Sequence, residues 1–250
     1  MENEAYVEMD LLEANHWWFV GRREIIRNEI SKLNLKNNSS ILEVGAGTGG
    51  NLQLLSEFGN VVAIEMNEFA FKLAQEKKPY NVQYRLGKFP ENPNLVKDEK
   101  FDLICMFDVI EHIPSAMESL KILSSCLNEN GQILLTVPAY NWLWSAHDDF
   151  NHHVKRYTRK SLESLVEDSE LAIIRSTYFN FLLFPFAILD RLKIVILKRN
   201  SYSGINLPKK FLNNILISVF SFERKILKFT NLSFGLSLMA VVQIRGQNIK

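Results

Sequence analysis

Several classes of protein are excluded by what this sequence lacks. Its only cysteines are Cys105 and Cys126, in no metal-type spacing, so there is no disulfide framework, and a reducing compartment is the natural reading. No run reaches the ~18 uninterrupted apolar residues of a membrane span. The nearest, Phe179 to Leu189, contains Asn180 and Pro185 and ends at Asp190-Arg191. Neither sign of charge is in excess. Lys and Arg number 29 against 28 Asp and Glu, which argues against a surface dedicated to nucleic acid. Internal repeats and low-complexity tracts are absent. The start Met1-Glu2-Asn3-Glu4 is polar and acidic, unlike a secretory signal, and a cytoplasmic setting is expected.

What remains is globular in composition, with 47% hydrophobic and 23% charged residues over a 250-residue chain long enough for a full core. Strand and helix patterns alternate. A helix is expected over Met9–Leu33, then strands at Ile41–Val44, Val61–Ile64, Val82–Leu86, Phe101–Phe107 and Gln132–Val137. Helices are expected between them at Asn51–Phe58, Glu68–Lys77 and Ser115–Leu127. That alternation implies right-handed βαβ crossovers and a parallel sheet covered on both faces. Runs such as VVAI and ILLTV suit strands buried on both sides. Beyond Pro138 lie an aromatic, His-rich loop (Tyr140–Tyr157), a helix from Thr158 to Glu167, a sixth strand at Leu171–Phe179 and a last strand at Leu236–Ile244. Between the last two strands, apolar runs mix with basic residues. Nine of the 17 Phe residues lie after residue 178.

The glycine cluster Gly45-Ala-Gly47-Thr-Gly49-Gly50 follows the first strand. Gly45, Gly47 and Gly50 fit the dinucleotide pattern G-x-G-x-x-G, whereas Gly45, Gly47 and Gly49 fit the G-x-G-x-G loop of S-adenosylmethionine (SAM) enzymes. Either way, the backbone must pass close to a ligand. Glu65, twenty positions after Gly45, suits ribose hydroxyls in both cases. Glu43 separates them. A carboxylate inside an apolar strand needs a cation or several donors; SAM offers an ammonium, and NAD offers none there. The alternative is a Glu that caps the amides of the following loop.

Taken together, Ile41-Leu-Glu43-Val-Gly45-Ala-Gly47-Thr-Gly49, Glu65-Met66, the segment Phe101-Asp102-Leu-Ile-Cys-Met-Phe107-Asp108-Val-Ile-Glu111-His112-Ile113 and the strand Gly131–Pro138 resemble the ordered motifs of class I SAM-dependent methyltransferases. The resemblance runs over about residues 38–140. It implies an α/β fold: a doubly wound, mostly parallel seven-stranded sheet whose last strand is antiparallel and follows a helical insertion. It also implies SAM as cofactor, held by Glu43, Gly45, Ala46, Gly47, Gly49, Glu65, Met66, Phe107, Asp108 and His112. Met66 would pack on the adenine. Many relatives have Gly-Asp after the third strand, but here it is Gly87-Lys88. Lys cannot accept the adenine amino group, so Gly87 and Lys88 would contact it through backbone groups.

The segment Asn15–Arg23 resembles an N-terminal element of a bacterial branch of these enzymes, which places Trp18 and Arg22 near the methionine end. That branch is associated with cell-surface glycan and polyprenyl-lipid pathways. The division implied is a single domain over 1–250: an N-terminal cover (1–37), a cofactor core (38–179 and 235–246) and a cap (180–234). Four of the five histidines fall between residues 112 and 153. His147, His153 and Asp148 are the candidates for proton removal from the acceptor. They are metal-ligating types too, but no zinc-type spacing is present and no metal is expected. The absence of an Asn/Asp-Pro-Pro-Tyr/Phe tetrapeptide argues against base methylation. A small-molecule, glycan or lipid acceptor is left, with oxygen as the methylated atom. Residues 180–231 are the expected site of any peripheral membrane contact. The competing reading is a membrane-binding protein that only retains the SAM fold.

Overall fold

The computed structural model describes residues 3–189 and 207–246; the middle of the expected cap, residues 190–206, lies outside the described residues. Seven strands form one sheet: β1 (Ser39–Val44), β2 (Gly59–Glu65), β3 (Val82–Leu86), β4 (Phe101–Phe107), β5 (Leu127–Pro138), β6 (Leu171–Phe179) and β7 (Ser237–Ile244). Their order is β3-β2-β1-β4-β5-β7-β6, with β7 antiparallel to β5 and β6 and the other pairings parallel. This is the mostly parallel, seven-stranded sheet with an antiparallel last strand that the motifs imply. The residues Ile41, Leu42, Leu103, Ile104, Ile133 and Leu134 are fully buried. That is why their runs are continuously apolar rather than alternating. From β1 the chain steps outward to β2 and β3, then returns to β4 on the other side of β1. The carboxyl ends of β1 and β4 therefore flank a crevice where the direction of winding reverses.

The helices that bear on the site are α1 (Asn3–Leu12), α2 (Trp17–Ile30), α3 (Leu52–Ser56), α4 (Glu68–Lys77), α5 (Ala116–Ser125), α6 (Ala146–Phe150), α7 (Arg159–Asp168) and α8 (Lys210–Leu227). The expected helix over Met9–Leu33 is in fact two. The break comes from capping. The His16 ring accepts the Trp18 N–H at 3.3 Å, and the Trp17 N–H donates to Asn213 Oδ1 at 2.9 Å. The Asn213 side-chain amide donates in turn to the Asn15 carbonyl at 2.8 Å. A residue of α8 thus satisfies both the end of the break and the start of α2. Apolar periodicity cannot register a cap supplied from so far along the chain. The loop expected at Tyr140–Tyr157 likewise contains a short helix, α6.

Helices α2 and α8 lie close together because Gly21 has no side chain. A Cβ at Gly21 would overlap the ring of Phe220. That ring is fully buried and stacks parallel to Phe179 of β6, with centroids 6.3 Å apart, so it has no room to retreat. Glu223 of α8 is also buried, and its carboxylate accepts the Leu182 N–H at 2.8 Å. The cap helix is therefore joined to the sheet by apolar stacking and by buried polar contacts. Leaving glycine in a helix returns ~1 kcal/mol, but overpacking typically costs about 1–3 kcal/mol or more. Gly21→Leu is accordingly expected to lower unfolding free energy by about 2 kcal/mol in a denaturant titration; an unchanged midpoint would contradict this packing.

Candidate active site

The glycine loop at the end of β1 turns on left-handed backbone, with φ of +74° at Gly45, +56° at Gly47 and +87° at Gly49. Both the Gly45 and Ala46 N–H groups donate to the Ile64 carbonyl at 2.9 Å, pinning the loop to β2. The glycines serve different needs. A Cβ at Gly45 would stand 2.5 Å from Val109 Cγ2, and one at Gly49 would stand 3.1 Å from Ala74 Cα in α4. Gly49 thus packs tightly against α4. At Gly47 the nearest atom is Met9 Sδ at 3.6 Å, so the position is open.

A cavity of about 810 Å³ lies over this loop. Its wall includes Gly45, Ala46, Gly47, Glu65, Met66, Gly87, Lys88, Phe107, Asp108, His112, Trp18 and Arg22. Most of the expected cofactor residues therefore meet around one space. Glu43 and Gly49 are not part of that wall. Glu43 lies behind the loop, 1% exposed, where its Oε1 accepts the Asn51 side-chain amide at 2.9 Å and its Oε2 has no partner. It reaches the cavity only through Asn51, which does line it. Burial raises the Glu43 pKa to about 7, despite the Asn51 bond.

Glu65 stands at the end of β2. Its Oε2 accepts the Gly47 N–H and its Oε1 the Asn67 N–H, each at 2.8 Å. Burial raises its pKa against those bonds. The Tyr6 hydroxyl and the Met66 N–H also bond this carboxylate, which borders the cavity. Arg22 pairs with Asp108 beyond β4 and lies over the Trp18 ring at 4.5 Å, while its buried Nε has no hydrogen-bond partner. Helix α1 contributes Tyr6 and Met9 to the wall, followed by Glu13, none of which the sequence motifs single out. Glu13 accepts the Thr48 hydroxyl at 2.8 Å and pairs with Lys77, which ties the N-terminal cover to the glycine loop. Lys88 is exposed, and its ammonium pairs with Glu91 at 2.7 Å.

The far end of the cavity is built by the loops after β4 and β5. Asp148 is fully buried. Its oxygens accept Arg156 Nε at 2.7 Å and Nη2 at 2.9 Å, the Ser145 N–H at 2.8 Å and the Ser145 hydroxyl at 3.0 Å. The His153 ring nitrogen Nδ1 lies 2.9 Å away. Burial alone would raise the pKa of Asp148, but the bonds from His153 and Arg156 outweigh it and hold the carboxyl well below the usual range. Asp148 is thus an ionised positioning residue. As a carboxylate it accepts from Nδ1–H of His153, which fixes the orientation of that ring. Arg156 also donates to the Ala139 carbonyl at 3.1 Å, which fixes the arrangement to the end of β5.

His147 and His153 both line the cavity, whereas Asp148 stands behind them. The Asn151 side-chain amide lies 3.0 Å from His147 Nε2. His112 meets His153 edge-to-face at 4.7 Å between centroids. Burial, followed by the charge of His153, lowers the His112 pKa to about 4, so its ring is neutral near pH 7. Glu111 and Arg156 are further wall residues. Their signal is tertiary, because the pairing of Asp148 with Arg156 occurs within an irregular loop.

These features fit SAM. The volume lies in the range of small-molecule sites. Gly47 leaves a cradle, Glu65 offers acceptors for hydroxyls, and Arg22 carries a free donor suited to a carboxylate. A family model described as a methyltransferase domain matches residues 20–176. The chain is similar to the ubiquinone biosynthesis O-methyltransferase of Bradyrhizobium diazoefficiens, 27% identical over 124 residues, covering 48% of this chain and 47% of that protein. It is also similar to an uncharacterized protein of Methanocaldococcus jannaschii, 25% identical over 179 residues, covering 69% and 66%. The chain therefore spans about half to two thirds of the length of these relatives. A solved SAM-dependent methyltransferase from Clostridium acetobutylicum has the same fold at 15% identity, with a TM-score of 0.56 over 98% of both chains.

Two outcomes follow from the loop. Gly47→Val places a side chain in the cradle and is expected to weaken SAM binding at least 100-fold by calorimetry. It should cost only the ~1–3 kcal/mol of left-handed strain in stability; wild-type affinity would contradict the placement. The folded pKa of Glu43 lies above its unfolded value, so its protonated form is favoured by folding. Its penalty is absent below about pH 4.5 and grows until the pH passes the folded value near 7. Glu43→Gln should therefore gain stability over wild type between pH 5 and 8, by ~2–3 kcal/mol in unliganded protein. A difference independent of pH would contradict the burial cost.

Proposed function

The chain belongs to the methyltransferase-domain family, and on that premise we propose that it moves the methyl group of SAM to an oxygen of a lipid-linked, glycan or small-molecule acceptor. The observation that carries this reading is His153, fixed by a buried ionised Asp148 at the end of the cavity away from Glu65. When bound, SAM supplies a methyl group already activated on a sulfonium.

The chain's own residues do the rest. The Gly45–Gly47 backbone lets a ligand approach closely, Glu65 accepts ribose hydroxyls, and Met66 flanks the adenine. Arg22 turns its free Nε–H to the methionine carboxylate. Holding two reactants in line is the larger part of such catalysis. His153 is the residue on which ionisation of the acceptor hydroxyl depends, with Asp148 setting its tautomer and Arg156 keeping Asp148 charged. Trp18, Phe107 and Leu143 on the wall exclude water.

The acceptor class is read from the cap. On α8 the buried residues Asn213, Phe220, Glu223 and Leu227 define the inner stripe. The opposite stripe carries Phe211, Ile215 and Phe222, with Phe229 just past the helix end. Phe211 is 79% exposed and Phe229 84%. Spacings of 4, 11 and 18 return to one helix face. Exposed Lys209, Lys210, Lys225 and Lys228 accompany this stripe. Aromatic residues beside lysines suit an interface with anionic headgroups. Among the described residues no helix is long and apolar enough to cross a membrane. We place the protein in the cytoplasm, with the exposed face of α8 resting on the membrane surface over a lipid-linked acceptor.

Methyl-labelled SAM incubated with the full chain and lipid or glycan extracts is expected to label one acceptor class. His153→Ala should lower labelling at least 100-fold while SAM affinity stays within threefold; equal turnover would contradict the role of His153. Phe211→Ser with Phe222→Ser should release the protein from anionic vesicles in co-sedimentation. Unchanged binding would contradict the membrane face.

A further inference from the structure

Glu111 is fully buried, and neither of its carboxylate oxygens meets a hydrogen-bond partner. The two guanidiniums nearest its charge are engaged elsewhere, Arg22 with Asp108 and Arg156 with Asp148. Three carboxylates thus share two cations around one cavity wall. A buried carboxylate left in that position requires a further positive charge or a proton.

Two imidazoles stand beside it. One oxygen of Glu111, one ring nitrogen of His112 and one of His153 all lie within 4.8 Å of one another. The three side chains border the cavity. Backbone bonds hold the set in register: the Val154 N–H donates to the Glu111 carbonyl at 2.8 Å and the His112 N–H to the Val109 carbonyl at 3.0 Å. Hydrogen bonds orient both rings. His153 gives its Nδ1–H to Asp148, the carboxylate–histidine arrangement that orients metal-binding imidazoles. His112 is bonded to the backbone of His152, which leaves its other ring nitrogen for a ligand.

The geometry points to a divalent transition-metal site held by Glu111, His112 and His153, with its open coordination positions facing the acceptor end of the cavity. Two imidazoles and one carboxylate suit Zn²⁺, Mn²⁺, Fe²⁺ or Co²⁺ better than Ca²⁺ or Mg²⁺. Bond lengths of about 2.1 Å put ligand atoms about 3–3.5 Å apart, so small side-chain rotations close the present set around an ion. The ion would supply the positive charge that Glu111 lacks.

The role of the ion rests on the methyl-transfer reading of this cavity. A metal there binds the acceptor hydroxyl and lowers its pKa, so the proton leaves to water. The oxygen then forms its bond to the methyl carbon as the carbon–sulfur bond breaks and its electron pair goes to sulfur. This deepens the dependence on His153, whose lone pair then serves the ion.

The test uses the full chain, stripped with chelator and titrated with Co²⁺ and with Zn²⁺. Visible absorption follows Co²⁺ and elemental analysis counts bound metal. One equivalent is expected to bind at micromolar concentration or tighter, with the d–d bands of a mixed nitrogen–oxygen site. His112→Asn and His153→Asn, checked for native circular dichroism, should each weaken binding at least 30-fold. Absence of saturable binding to the wild-type chain, or binding that both variants leave intact, overturns the site. Methyl transfer that persists undiminished in metal-free protein also overturns it and leaves the proposed function standing. One equivalent of bound metal with no methyl transfer into any extract supports the site and overturns the function.

Discussion

The buried ion pair between Asp148 and Arg156 is the constraint on which the reactive end of this molecule depends. Burying a carboxylate is costly unless it is both paired and hydrogen-bonded. Here donors from Ser145, His153 and Arg156 converge on its two oxygens. The pair orders a loop that has little regular structure of its own. It determines which nitrogen of His153 carries the proton, and through the Ala139 carbonyl it fixes that ring relative to the sheet. The Val154–Glu111 backbone bond joins the same loop to the turn after β4. Two segments far apart in sequence thereby become one wall.

The cofactor end follows a different logic, in which backbone rather than side chains defines the space. The glycine loop is pinned to β2 by Ile64 and braced by Glu65, so its amides are held before a ligand arrives. The cover formed by α1 and α2 is fastened at separate points. Glu13 reaches Thr48 and Lys77, Arg22 reaches Asp108, and Asn213 of α8 caps α2. The N-terminal and C-terminal parts of the chain therefore meet at α2, which carries both Trp18 and Arg22 to the cavity. The helix α8 and the cavity wall are thus joined through α2.

Legibility in the sequence followed the range of the interaction. Strand β4 and helix α4 agree with their sequence spans end to end, since local period and turn residues suffice to mark them. The break between α1 and α2 was not legible, because its cap comes from Asn213. Glycine spacing pointed to the cofactor loop but did not separate Gly47, which faces the cavity, from Gly49, which packs on Ala74. Glu43 stood out as a carboxylate in an apolar strand, yet its partner is the Asn51 side chain rather than the cavity. The Glu111–His112–His153 cluster had no signature, since its members lie on two loops that only the closed sheet brings together.

Calorimetric titration of the purified chain with S-adenosylhomocysteine, and in parallel with NADH, separates a SAM site from a dinucleotide site. Saturable 1:1 binding of S-adenosylhomocysteine and none of NADH is the expected result. Saturable binding of NADH with no response to S-adenosylhomocysteine would contradict it.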